Sequence, residues 1–279
     1  MPVKVVTDSV SDIPAGVVEE LGITVIPVLV RFGEEIYRDG IDLTTDQFYD
    51  RLVHSKFLPT TSVPAPAIFA GTYDRLAEET DEILAITVTS RLSGIYDVAL
   101  QSVGLMKRKC RVEVVDSQWA VMGQGFIVIK AAQAAQAGAS FDEVLDIINR
   151  NIPRVDFRAA FDTLDYLLRG GRIGRAQALL GSMLRVNPLV TMRHGVVEPA
   201  GRARSRAAAI DHLYNFAMSF SNIEELAVED ATTPDEAEEL AERLSSKFPR
   251  ERIYRTKVSP TIGAHVGPHV IGVSVLGER

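Results

Sequence analysis

Short runs of apolar and β-branched residues alternate along the chain with longer segments whose apolar positions recur every three or four residues. The short runs predict strands and the longer segments predict helices. Such alternation is typical of a parallel sheet that is covered on both faces. In the first half we predict strands at 3–6, 23–30, 83–88 and 111–115, a loop at 61–66, and helices at 12–22, 44–54, 68–79, 93–109 and on both sides of Gly138.

Polar residues at the starts of several segments support these boundaries. Asp12, Thr44 and Ser140 each precede a periodic segment, where a side-chain oxygen can accept a free main-chain N–H. In the second half, from about Pro153, we predict strands at 155–161, 225–229, 253–258 and 270–275, a hairpin at 188–198, and helices at 163–168, 175–184, 205–220 and 233–247.

The pattern predicts an α/β protein of two α/β domains, 1–153 and 154–279, with a ligand crevice between them. We expect an open parallel sheet with helices on both faces in the N-terminal domain and a mixed sheet in the C-terminal domain. The length of 279 residues fits two domains, and 46% hydrophobic residues suffice for a large core. The apolar stretch 119–139 contains Gln124 and Lys130, which favours a buried helix over a membrane span.

Charge and cysteine content narrow the class of protein. The formal net charge of −7 disfavours a nucleic-acid partner, because such proteins usually carry a basic excess. Cys110 is the only cysteine, so an internal disulfide is impossible and a reducing compartment is expected. The first residues lack the pattern of a signal peptide. Together these features predict a cytoplasmic protein.

Several common catalytic and cofactor motifs are missing from the sequence. It contains neither a G-x-x-x-x-G-K-[ST] phosphate loop nor a G-x-S-x-G elbow. The segment Gly123-Gln124-Gly125 lies inside an apolar helical pattern, which favours close helix packing over dinucleotide binding. His265 and His269 have the spacing of a helical zinc pair, but Gly267-Pro268 breaks the helix between them. We therefore predict no metal and no cofactor.

Hydroxyl-rich turns follow three of the predicted strands, at 7–9, 87–94 and 116–117. In an open parallel sheet the ligand crevice lies outside these strand ends, and Thr61-Ser62 could join them there. Ser93-Gly94 at a helix start offers a hydroxyl and free N–H groups, which suit an anionic oxygen. The alternative is that these residues only cap helices.

An ordered set of motifs across nearly the whole chain resembles the DegV family of bacterial fatty-acid-binding proteins. The motifs are Thr7-Asp8-Ser9, Tyr37-Arg38-Asp39-Gly40, Thr61-Ser62-Val63-Pro64, Leu92-Ser93-Gly94-Ile95-Tyr96, Asp116-Ser117, Gly170-Gly171-Arg172-Ile173 with Ala176-Gln177-Ala178, and Ile262-Gly263-Ala264-His265-Val266-Gly267-Pro268. Ala65, Ile95 and His269 depart from the usual family residues. A positive φ at His269, where glycine is common, would strain the backbone.

The resemblance implies a function as well as a fold. One long-chain fatty acid would be buried in a tunnel, with its head group held by Thr61 and Ser93, near Ser62 and Gly94, and with His265 close by. Similar proteins present the bound fatty acid to a separate ATP-dependent fatty acid kinase, which makes an acyl phosphate. The resemblance thus implies a carrier without catalytic residues of its own, whose contact with membranes is only transient.

A basic, glycine-rich turn containing Arg169 and Arg172 precedes a predicted helix, and Arg202 lies in a second arginine-rich stretch. We predict that these arginines contact the kinase or the transferring phosphoryl group. For Arg172 the alternative is a structural ion pair with Asp162 or Asp165.

Two other classes of function remain as hypotheses. One is a stand-alone serine-dependent lipid hydrolase or acyltransferase, with Ser93 as nucleophile, His265 as base and Asp116 as orienting acid. The other is a regulatory or nucleic-acid-binding protein that uses the alternating arginines at 202, 204 and 206. In an acidic chain these arginines are better interpreted as a solvated or partner-docking face.

Overall fold

The computed structural model describes residues 2–182 and 186–279. In chain order its strands are β1 Lys4–Asp8, β2 Thr24–Ile26, β3 Leu29–Phe32, β4 Glu35–Arg38, β5 Thr60–Ser62, β6 Glu82–Thr87, β7 Arg111–Asp116, β8 Val155–Ala160, β9 Asn187–Arg193, β10 Val196–Ala203, β11 Asn222–Asp230, β12 Ile253–Lys257 and β13 Ile271–Glu278. The α-helices are α1 Ala15–Glu20, α2 Thr45–His54, α3 Pro66–Leu76, α4 Ile95–Val103, α5 Val121–Gln136, α6 Phe141–Asn151, α7 Asp165–Arg169, α8 Arg206–Met218, α9 Pro234–Leu244 and α10 Pro260–Val266.

The described strands form one parallel sheet, one larger mixed sheet and one small antiparallel sheet. The parallel sheet has the order β2–β1–β6–β7. The mixed sheet has the order β10–β9–β8–β13–β11–β12, and within it only β11 and β12 are parallel neighbours. The small sheet has the order β4–β3–β5. The predicted fold class, a parallel sheet followed by a mixed sheet, is therefore confirmed.

The two larger sheets take their strands from opposite sides of residues 153–154. One buried apolar cluster nevertheless includes Val5 of the first half together with Val190 and Leu276 of the second. The halves thus share a continuous core. The division into domains at 153–154 stays a prediction.

Helix α5 lies in the centre of this shared core. Its residues Met122, Phe126 and Ile129 are fully buried. A Cβ atom at Gly125 would lie 2.7 Å from the Ser11 carbonyl oxygen, so only glycine permits this close approach. The amide of Gln124 donates to the Thr7 hydroxyl at 3.0 Å. The segment 123–125 therefore serves helix packing, as the sequence analysis favours.

Two of the three predicted helix caps are confirmed. Thr44 and Ser140 each form a capping box, with Gln47 and Glu143 respectively. The cap predicted at Asp12 is wrong, because Pro14 takes that position and no side chain caps α1. Asp12 is instead buried and accepts the Ser259 N–H at 3.3 Å.

Several predicted boundaries differ from the structure for identifiable physical reasons. The predicted strand at 23–30 is divided between two sheets at Pro27, which has no N–H to donate to a neighbouring strand. The predicted loop at 61–66 begins with the end of β5. Helix α4 ends at Val103, six residues early, and the Asp74 carboxylate then accepts the N–H groups of Lys107 and Arg108.

Other predictions fail mainly on short elements in both halves of the chain. The segment predicted as a helix at 175–184 is a 3-10 helix over Gly174–Ser182, and its predicted end at Leu184 lies outside the described residues. The seven-residue helix α10 and the strand β4 were not predicted. Across residues 2–182 and 186–279, every helix is too short or too polar to cross a bilayer.

Candidate functional site

A cavity lies between the carboxyl ends of the parallel strands and the inner face of the mixed sheet. The space within the cavity and its open mouth is about 1080 Å³. Its wall is mostly apolar, and the apolar lining comes from both halves of the chain. The apolar side chains that line it are those of Val10, Val28, Val63, Val88, Leu92, Ile95, Ala120, Val121, Phe157, Ala159, Phe161, Leu167, Val190, Met192, Val197, Val258, Ile262, Val266 and Val270.

One row of residues across the mixed sheet forms part of this wall. The strand register places Val190 beside Ala159, Ala159 beside Gly272, and Gly272 beside Glu229. All four residues line the cavity. Because the two central residues are small, the sheet surface is lowered there and a ligand can approach the main chain. This row was not predicted from the sequence, although the glycine inside the predicted strand at 270–275 was a signal for it.

The predicted head-group residues come together at this cavity. Thr61 on β5, Ser93 before α4 and His265 on α10 all line it. The Thr61 hydroxyl oxygen lies 2.9 Å from Nε2 of His265. Thr61 and His265 are more than 200 positions apart in the chain, and α10 brings His265 into contact with Thr61.

Ser93 keeps its hydroxyl proton free in the described part of the chain. Its oxygen accepts the Ile95 N–H at 3.3 Å, so it contributes to the start of α4 and still has a proton to donate. Gly94, also in the lining, is the N-cap residue of α4. Ser62 lines the cavity from an exposed position and pairs with Leu29 in the small sheet.

Arg172 also lines the cavity, half-buried. Its Nε donates to the Leu92 carbonyl at 3.1 Å and its Nη1 donates to the Gly170 carbonyl at 2.6 Å. Among the described residues it forms no ion pair, so the alternative that pairs it with Asp162 or Asp165 is wrong. A guanidinium held only by main-chain carbonyls is available to an anion.

His265 is neutral in this setting. Burial and, to a lesser extent, the nearby charge of Arg172 together lower the pKa of its imidazole to about 4. Its Nδ1 is buried and has no hydrogen-bond partner among the described residues. A Cβ atom at Gly170 would lie 2.4 Å from that nitrogen, so the glycine makes room for the ring. The imidazole can therefore act as a neutral donor or acceptor towards a ligand or Thr61.

Two of the three hydroxyl-rich turns do not reach the cavity with their polar groups. The Asp8 carboxylate accepts the N–H groups of Val10 and Val88, and it thereby fixes the ends of β1 and β6. Asp116 accepts from the Ser90 hydroxyl at 2.6 Å. These two turns shape the strand ends, and only the turn at 87–94 contributes Ser93 and Gly94 to the lining.

The geometry that a serine hydrolase requires is not formed. The nitrogen Nε2 of His265 contacts Thr61 rather than Ser93, and its Nδ1 has no orienting acid in the described chain. Asp116, the acid considered in the sequence analysis, is occupied by Ser90. In residues 2–182 and 186–279 no three His, Cys, Asp or Glu side chains are grouped so that they could hold a metal ion.

Arg169 and Arg202 lie outside the cavity lining and are exposed. Arg206, part of the arginine series considered for nucleic-acid binding, forms an ion pair with Glu236 at 2.7 Å. His269 does not adopt a positive φ, so the strain considered for that position is absent. The positive φ belongs instead to Gly267, where a Cβ atom would clash with the Tyr166 ring.

Comparison with known proteins supports a family assignment. The model of the DegV family, whose description is that of an uncharacterised protein, matches residues 2–278. A DegV domain-containing protein of Streptomyces coelicolor is 36% identical over 98% of each chain.

Two solved structures are similar throughout. A DegV family protein from Thermus thermophilus, described for its fatty acid binding, superimposes with a TM-score of 0.91 at 32% identity over 99% of this chain and 100% of that one. A stearic-acid-binding protein from Eubacterium ventriosum has a TM-score of 0.88 at 26% identity, with 99% and 98% of the two chains covered. This chain belongs to the DegV family.

Proposed function

We propose that this chain binds one long-chain fatty acid, with the tail in the apolar cavity and the carboxylate at Thr61, Ser93, Arg172 and His265. The observation that carries the proposal is the joining of a largely apolar cavity to a cluster of polar groups with free hydrogen-bonding capacity. Two similar proteins are described as binding fatty acids, one of them stearic acid.

The tail supplies most of the proposed affinity. A sixteen-carbon fatty acid has about fourteen CH₂ groups, each worth ~0.8 kcal/mol when it is buried. The gross gain is about 11 kcal/mol before association and ordering costs are subtracted. Each hydrogen bond to the carboxylate adds only about 1.5–3 kcal/mol. The head-group cluster, which consists of Thr61, Ser93, Arg172 and His265, therefore determines the orientation of the ligand and contributes less to its affinity.

The hydrogen-bonding pattern suits a carboxylate. If Nε2–H of His265 donates to the Thr61 oxygen, the Thr61 proton is free to be donated to the ligand. The free proton of Ser93 and the guanidinium of Arg172 complete the set of donors. Because His265 is neutral, the one full positive charge among these four residues is that of Arg172.

The proposal is tested by removing the two hydroxyls. We expect Thr61→Ala and Ser93→Ala each to weaken palmitate binding by about ten- to a hundredfold, the equivalent of one hydrogen bond to a charged group. Ser90→Ala is the matched control, because Ser90 lies on the same turn but bonds to Asp116 outside the cavity. Titration calorimetry gives the affinities. Unchanged affinity in the double variant would move the head-group site elsewhere.

We further propose that the carboxylate is presented to a separate ATP-dependent fatty acid kinase. Arg169 and Arg202 are exposed and can meet an acidic kinase surface, while Arg172 lines the cavity and can meet both the carboxylate and the incoming phosphoryl group. The sequence offers no phosphate loop of its own, so ATP would come with the partner. This role implies a cytoplasmic location, where ATP is available.

A further inference from the structure

Asp39 does not line the cavity, but its carboxylate connects two segments that lie beside the cavity. The side chain is buried, and one of its oxygens, Oδ2, accepts three hydrogen bonds. Ser9 donates to it at 2.9 Å, the Thr261 N–H donates at 3.2 Å, and the Thr261 hydroxyl donates as well. A carboxyl group in the loop after β4 thus joins the turn after β1 to the first turn of α10.

Helix α10 depends on neighbouring segments at its start. Its own N-cap residue, Ser259, makes no capping bond with its side chain. The free N–H of Ser259 is accepted by Asp12, and that of Thr261 by Asp39. Such N–H groups need an acceptor when they are buried, so these carboxyls replace the missing cap.

The same helix carries the head-group histidine. His265 follows Thr261 by four residues, one helical turn, and contacts Thr61 at 2.9 Å. Its ring fits against Gly170 with no space to spare, so a small displacement of α10 changes the histidine's position.

Asp39 also decides which hydroxyls face the ligand. Thr261 lines the cavity, but its hydroxyl is committed to Asp39. Without that acceptor the hydroxyl could turn towards the cavity and offer the carboxylate a second, misplaced donor. The bond therefore keeps the polar end of the cavity confined to the head-group cluster.

We propose that Asp39 is a positioning residue for carboxylate recognition, acting through Thr261 and α10 to place His265 beside Thr61. This inference rests on the proposed binding of a fatty acid. Asp39 itself neither contacts the fatty acid nor attracts it. A carboxylate near an anionic head group would repel that group. The contribution of Asp39 is therefore to hold α10 and His265 in position.

Paired ligands test this inference. We expect Asp39→Ala to weaken palmitate binding about tenfold, the loss of roughly one hydrogen bond to a charged group, and to leave hexadecanol binding within about twofold. Asp39→Asn keeps an oxygen acceptor for the Thr261 N–H and should restore most of the preference for the acid. Asp42→Ala, on the same loop but exposed and paired with Arg38, is the matched control.

The outcomes separate this inference from the function on which it rests. Wild-type protein that binds neither palmitate nor hexadecanol contradicts the proposed function itself. Wild-type protein that prefers palmitate, together with an Asp39→Ala variant that loses both ligands equally, shows Asp39 to be merely structural and overturns the inference. An unchanged acid-to-alcohol ratio in a variant that melts like the wild type overturns it too.

Discussion

At the scale of single residues, the buried acids are the least expected feature of the protein. Asp8, Asp39 and Glu229 are each almost fully buried, and none forms an ion pair in the described parts of the chain. Burial raises the pKa of Asp8 and of Asp39 to about 6 and the pKa of Glu229 to about 7. Their carboxylates are held by hydrogen bonds instead, from Val88, Thr261 and Met122 among others.

This arrangement predicts a pH dependence of stability. Glu229 binds its proton more tightly in the folded state than in the unfolded state, so its contribution to stability is complete below about pH 4.5 and is lost as the pH rises to about 7 and beyond. Glu229→Gln removes the titration and keeps one accepting oxygen for the Met122 N–H, while its amide NH2 can donate to the Ser274 hydroxyl. We therefore expect the melting temperature of the variant to rise relative to that of the wild type between pH 5 and pH 8.

Differential scanning calorimetry across that range measures the effect. The exposed Glu251→Gln provides the control and should follow the wild type at every pH. A constant difference between Glu229→Gln and the wild type would mean that Glu229 has an ordinary pKa in the folded protein.

Some residues of the candidate site could be predicted from the sequence and others could not. The hydroxyl-rich turns predicted Thr61 and Ser93 at the crevice, the family resemblance added His265, and all three residues line one cavity. Glu229 and Gly272 were missed, because the glycine in the predicted strand marks a close approach but only the register of distant strands shows that the two residues are neighbours in the wall.

At the scale of elements, long periodic segments were predictable and short ones were not. The capped helices α2 and α6 carry their boundary signals in the sequence. Helix α10 has seven residues and no cap of its own, so its stability comes from tertiary contacts that no local pattern reveals. The same element supplies His265, so the sequence pattern located the functional residue without the helix that positions it.

The packing of α10 against α2 gives a second prediction. A Cβ atom at Gly263 would lie 2.5 Å from the Phe48 ring and 2.7 Å from the Tyr49 hydroxyl. Gly263→Ala should therefore displace α10, cost about 1–3 kcal/mol of unfolding free energy and weaken palmitate binding. Urea denaturation and titration calorimetry check the two effects.

A glycine without such neighbours serves as the control. Gly71 lies inside α3, and a Cβ atom there would meet nothing within 4 Å. Gly71→Ala should stabilise the protein by about 0.5–1 kcal/mol and leave binding unchanged. If both alanine variants behaved alike, the close fit of α10 would have no role in the site.

At the scale of the whole molecule, the parallel sheet and the mixed sheet act as two walls of one cavity. The strand-helix alternation predicted both sheets and the crevice between them, and the resemblance implied that a fatty acid is buried there. The apolar core runs through both halves, and residues of both halves line the cavity.

The proposed presentation of the fatty acid to a kinase involves the whole molecule, because the kinase would dock on its outer surface. We expect Arg202→Ala and Arg169→Ala to keep the wild-type affinity for palmitate but to reduce acyl-phosphate formation when the kinase and ATP are supplied. Arg172→Ala should reduce both, because Arg172 lines the cavity. Arg108→Ala, which breaks only an exposed pair with Glu78, is the control. Full acyl-phosphate formation by all three variants would exclude these arginines from docking.

The most direct test of the central claim is native mass spectrometry of the freshly purified protein, repeated after denaturation. If the cavity holds a fatty acid as proposed, the native protein carries the added mass of one C14–C18 fatty acid. Denaturation should release that fatty acid, which gas chromatography of the extract then identifies. A protein that is free of lipid and also fails to bind added palmitate or oleate would contradict the account.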